Sequence, residues 1–145
     1  MDQPMPLGPM LGRCAHLAKA RMDARLSGCD VTPVQTHVLM YLHRHRGQAL
    51  QCHVTAFLQV KPSTANGILD RMEERELVTR TVSGSDARQR LITLTEKGKE
   101  LQARFCRIFQ DTEAVMLQGF SPEECRQFRI QLERIIGNLE EDREE

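Results

Sequence analysis

The sequence predicts a mainly α protein of the α+β class: a winged helix-turn-helix with a two-stranded wing, flanked by N- and C-terminal dimerisation helices. Three observations predict it. Two short helical segments within 51–75 are joined by a turn of three to four residues. Two β-branched runs of alternating polarity, 77–82 and 89–94, follow directly and bracket a polar turn. Long apolar stripes at helical spacing occupy both ends of the chain, 7–27 and 95–140, and exceed what one winged lobe can bury.

The elements follow in order. Leu7, Leu11, Cys14, Ala18 and Met22 form the stripe of a first helix, which Ser27-Gly28 ends. Thr32-Pro33-Val34-Gln35 reads as an N-cap, a first-turn proline and a capping-box partner. The helix it opens runs to about His45 and is expected to bury Val34, Val38, Leu39 and Leu42. Arg46-Gly47-Gln48 is read as a turn. A short helix over 51–58 turns Val54 and Leu58 inward. A second opens at Pro62 and runs to about Arg75, with Ala65, Ile68, Leu69 and Met72 on one face. The two strands and their turn, Ser83 to Arg88, make the wing. Thr95 caps the next helix, whose stripe is Leu101, Phe105, Ile108, Phe109, Thr112, Val115 and Met116. Ser121-Pro122-Glu123-Glu124 is a capping box, and the last helix is expected to bury Cys125, Phe128, Leu132, Ile135, Ile136 and Leu139. The surplus stripes imply that residues 1–30 and 95–145 are dimerisation helices that pack against a second copy, with 31–94 as the winged lobe.

Composition narrows the function. Aromatics make up 4% of the chain, too few for an RNA-stacking platform. The 20 basic and 20 acidic residues cancel, which argues against bulk attraction to nucleic acid or membrane. The zero is a sum of unlike parts, however. Residues 13–46 carry six basic and two acidic groups, net +4, whereas 139–145 carry one and five, net −4. The start, Met1-Asp2-Gln3-Pro4, has no basic and apolar export pattern, so a cytoplasmic location and no membrane contact are expected. Five cysteines with no CxxC spacing do not suggest a disulfide framework, and most are expected to be small buried hydrophobes. No phosphate loop, paired-carboxylate pattern or nucleophile motif marks an enzyme.

The chain resembles the MarR family of winged-helix regulators. The resemblance rests on Ile68-Leu69-Asp70-Arg71-Met72-Glu73, Leu77-Val78-Thr79-Arg80, Asp86-Ala87-Arg88, Leu94-Thr95-Glu96-Lys97-Gly98 and Thr32-Pro33-Val34-Gln35, all in register. It implies a homodimeric transcription regulator, most often a repressor, that binds double-stranded DNA and is released by a small-molecule effector. Three positions depart from the pattern. Glu76 and Gln59 stand where the family has glycine, and Gly67 replaces a polar side chain in the recognition helix. Gly67 removes one potential base contact and weakens that helix by about 1 kcal/mol relative to Ala.

The candidate DNA-binding residues are Ser63, Thr64 and Asn66 at the start of the recognition helix, with Lys61 and Arg71 on phosphate. The same residues could instead cap and solvate a helix, and Arg71 could pair with Asp70 or Glu74. Arg88 is expected to enter a narrow minor groove, with Asp86 orienting its guanidinium and Arg90 supporting it from the strand. The sensor stays open between three readings. A small aromatic or amphipathic ligand is one. Zinc or copper at Cys29, His37 and Cys106 is another, since the resemblance extends to a zinc-sensing branch through Cys29 and Gln35-Thr36-His37. Oxidation of Cys14 is the third, by likeness to a peroxide-sensing branch. No metal is required by any of the motifs. A winged-helix protein–protein module without DNA is the alternative from another class.

Overall fold

The computed structural model describes residues 3–84, 86 and 88–143. Nine elements run along the chain: α1 (Leu7–Leu26), α2 (Pro33–Arg44), β1 (Gln48–Leu50), α3 (Gln51–Leu58), α4 (Pro62–Glu74), β2 (Val78–Val82), β3 (Arg90–Leu94), α5 (Glu96–Met116) and α6 (Pro122–Asp142). The strands form an antiparallel sheet in the order β1-β3-β2. The fold class is the one expected. One element is new: residues 48–50 are a strand, pairing Ala49 with Ile92. The turn read at 46–48 lies one residue earlier, with Arg46 and Gly47 both at positive φ. Three residues are too few to show a period of two, which is why the pattern gave no sign of β1.

Two compact units divide the described residues, one of Lys19–Phe109 and one of those up to Ala18 together with those from Gln110 onward. The first unit holds the core. Val38, Leu39 and Leu42 of α2, Val54 of α3, Leu69 and Met72 of α4, Leu77, Val78, Ile92 and Leu94 of the sheet region, and Phe105 of α5 form one buried cluster. Val34, expected inside, is half-buried, and Gln35 is buried in its place. The reason is its capping duty: Thr32 Oγ1 accepts the Gln35 N–H, and Gln35 Oε1 accepts the Thr32 N–H, both at 3.3 Å.

The start of α5 is clamped to the turn before β2. The Thr95 hydroxyl donates to the Glu76 carbonyl and accepts the Gly98 N–H at 3.0 Å. Thr95 N–H donates to the Leu77 carbonyl at 3.1 Å. A Cβ built on Gly98 would run into that same carbonyl oxygen. Only glycine allows this backbone approach.

In the second unit the outcome differs from expectation. No residue of α6 is buried: Phe128, Ile136 and Leu139 are exposed, and Cys125, Leu132 and Ile135 are half-buried. The part of α1 in this unit, up to Ala18, likewise buries nothing, and Leu7 and Leu17 are exposed. An amphipathic helix shows its apolar face in a single chain when its own unit lacks a layer to cover it.

Candidate nucleic-acid interface

The helix-turn-helix turns on Gln59, which sits in the left-handed region at φ 54° and ψ 42°. Glu76, after α4, has φ 60°. Both departures from glycine therefore keep the backbone that glycine would have supplied, at the strain such residues carry. α4 then opens at Lys61, an N-cap without a side-chain hydrogen bond, with Pro62 in the first turn. The first amides of α4 have no capping side chain, and the helix dipole adds positive character there. Ser63, Thr64 and Asn66 are exposed on these first turns, and Lys61 and Arg71 are exposed beside them.

Asp70 does not pair with Arg71. It pairs with Arg80 of β2, whose guanidinium also meets Glu73 at 3.3 Å. Arg80 N–H donates to Glu73 Oε2 at 3.1 Å. The Arg80 side chain is only 7% exposed. Burial pulls its pKa down, but hydrogen bonds to Asp70 and Glu73 and their charges outweigh this and hold it above the ordinary arginine value. Arg71 is left without an ion pair to Asp70 or Glu74 among the described residues. Sequence reasoning missed Arg80. Its signal was a lone arginine in a β-branched strand, ten residues from an aspartate.

At the wing, Ser83 N–H donates to the Gln89 carbonyl at 2.9 Å and Gln89 N–H to the Asp86 carbonyl at 3.1 Å. Asp86 was expected to orient the Arg88 guanidinium. Instead its Oδ1 accepts the Arg88 backbone N–H at 2.9 Å. A short carboxylate reaches the amide two residues on more readily than a long side chain's end, so Asp86 shapes the turn. Arg88 is exposed. Ser85 and Ala87, part of the expected wing tip, lie outside the described residues.

α3, α4 and the wing enclose a groove of about 790 Å³. It is lined by Gln51, Cys52, Asn66, Arg80, Arg88 and Arg90, among others. Of the expected DNA contacts, the groove gathers Asn66, Arg88 and Arg90. Lys61, Ser63, Thr64 and Arg71 lie outside it on α4 and its N-cap.

The sensor residues are not gathered. Cys29, His37, Cys106 and Cys14 form no group of three or more metal-ligating side chains among the described residues. Cys29 and Asp30 are held by the Arg75 guanidinium, which donates to both of their carbonyls and to Gln35 Oε1. None of the five cysteines is buried, against expectation: Cys14 and Cys52 are exposed and the other three half-buried. Cys29 packs against the edge of the core without being closed into it.

Among the described residues, no helix is long and apolar enough to cross a membrane. Residues 30–89 match the MarR family model. S. aureus MepR, in a structure bound to ethidium bromide, is similar at 28% identity over 93% of this chain and 97% of that one, with a TM-score of 0.74. A mutant of MepR bound to an oligodeoxyribonucleotide is 28% identical over 94% and 99%, with a TM-score of 0.70. E. coli MarR in its apo form, at 21% identity, covers 92% and 98% with a TM-score of 0.69, and shares the fold.

Proposed function

The chain belongs to the MarR family, and from that premise we propose that it is a homodimeric repressor reading a pseudo-palindromic duplex and released by a small-molecule effector. The observation that carries the proposal is the groove: it sets Asn66 of α4 beside Arg88 and Arg90 of the wing, next to a helix start with no side-chain cap. Such an arrangement presents hydrogen-bonding groups to base edges and two guanidinium groups to phosphate or a minor groove. The likeness to MepR, seen with an oligodeoxyribonucleotide and with ethidium, supports both halves of the reading.

Two copies are needed for the geometry. Recognition helices of a dimer enter successive major grooves about 34 Å apart, which a single lobe cannot do. The exposed apolar residues of α6 supply a face for that second copy. An effector that binds better to a state with another head spacing weakens DNA binding by linkage.

The test is selection of bound duplexes from a random library, followed by fluorescence anisotropy across salt. The expected result is an enriched inverted repeat whose affinity falls steeply with salt. Arg88→Ala should weaken binding to it by more than tenfold. An unchanged affinity removes the wing from the mechanism, and failure to enrich any duplex removes DNA from it.

A further inference from the structure

We infer that Gln51 sets what Asn66 can read. The inference rests on the DNA-binding proposal and narrows it to one base position. Gln51 is the first residue of α3 and Asn66 stands on α4, fifteen residues later. The Gln51 side-chain Nε2–H donates to Asn66 Oδ1, and both residues line the groove between the helices and the wing. Asn66 is exposed and Gln51 half-buried.

This bond biases the hydrogen-bonding character of Asn66. A free asparagine recognises adenine through two atoms at once: Nδ2 donates to N7 and Oδ1 accepts from N6–H. Here one of the two lone pairs of Oδ1 is taken by Gln51, while Nδ2 donates no hydrogen bond among the described residues, so the pair leaves Asn66 richer in free donors than in free acceptors. A donor pair suits a base edge that offers acceptors only. In the major groove that edge is guanine, with N7 and O6. The pair thereby tilts Asn66 toward guanine and away from adenine.

The orientation of the pair has a physical reason. Gln51 Oε1 is buried with no hydrogen-bond partner among the described residues. Exchanging oxygen and nitrogen on Gln51 would bury an unpaired N–H₂ there instead. A buried carbonyl oxygen without a partner is the better tolerated of the two. An unsatisfied buried atom of this kind calls for an explanation, and holding Asn66 in one hydrogen-bonding state provides it.

The experiment uses the full-length protein on its selected duplex. A panel replaces each base pair of one half-site in turn, and anisotropy titrations give relative affinities for wild type, Gln51→Ala and Asn66→Ala. Wild type should prefer guanine over adenine by at least tenfold at one position. Gln51→Ala should shift that ratio toward adenine by at least tenfold and leave the ratios at the other positions alone. Asn66→Ala should flatten the preference at the same position. A loosened fold would weaken all positions together, so a uniform loss in Gln51→Ala overturns the inference. So does an unchanged ratio, or a wild-type preference for adenine there. A wild type that enriches no duplex defeats the DNA-binding proposal itself, and this inference with it.

Discussion

The unit of Lys19–Phe109 and the unit that contains α6 dispose of similar stripes in opposite ways. α2 and α4 turn Val38, Leu39, Leu42, Leu69 and Met72 into a core with no exposure. α6, at 21 residues, buries nothing, and Ile136 and Leu139 are 54% and 64% exposed. An amphipathic stripe states that a face needs cover. It does not state which chain provides it. The core of the first unit is closed within a single copy, whereas the stripe of α6 is spare there.

The largest expected effect breaks the comparison on the α6 side. Ile136→Asp with Leu139→Asp would put two carboxylates into the apolar face that the proposed second copy would cover, where an unpaired charge costs about 3–5 kcal/mol. Dimer dissociation should become more than a hundredfold easier. Sedimentation or light scattering should show the mass fall from two chains to the 16.6 kDa of one. The core of α2, α4 and the sheet should keep its far-ultraviolet signal. A wild type already at the mass of one chain would refute the role given to α6.

On the other side, the sharpest break is Gly98→Ala. The added Cβ meets the Leu77 carbonyl head-on, and neither backbone yields without losing the Thr95 N–H bond to that oxygen. Overpacking of this kind costs about 3 kcal/mol. Urea unfolding should show a lower midpoint at an unchanged slope. Arg80→Ala is expected to cost less, about 2 kcal/mol, because Asp70 and Glu73 are half exposed and water replaces part of what they lose. Its second effect is on the wing. Without Arg80, β2 is no longer tied to α4 by charge, so duplex binding should weaken by more than the stability loss explains.

Much of this was legible along the chain because its signals are local. The α2 start is written in Thr32, Pro33 and Gln35, and the structure forms the full capping box. Gln59 and Glu76 could be singled out only through the family resemblance, which has glycine at both, and the structure puts both in the left-handed region. The Asp70–Arg80 and Gln51–Asn66 pairs were illegible for the converse reason. Each joins two elements ten or fifteen residues apart, and only packing decides which side chains meet. Asp86 shows the middle case: its partner residue was found, but the backbone amide won over the guanidinium. The strand β1 was hidden by its length, since only β3 gives it an identity.

The smallest effect sharpens the comparison instead of breaking it. Gly67 lies within α4, and a Cβ there meets nothing within 4 Å. Glycine in a helix interior is less stable than Ala by about 1 kcal/mol, through backbone entropy lost on folding. Gly67→Ala should therefore raise the unfolding midpoint, by an amount set by α4 alone and independent of the state of α6. Combined with the paired α6 aspartates, the two changes should add to within a few tenths of a kcal/mol, because the Cβ that Gly67→Ala adds would touch nothing that could pass its effect on. Calorimetry on the single and combined variants checks this. Additivity would establish that the first unit is stabilised from within. A gain that vanishes when α6 is broken would mean that α4 depends on the second copy for its order, and the two units could no longer be treated as unlike.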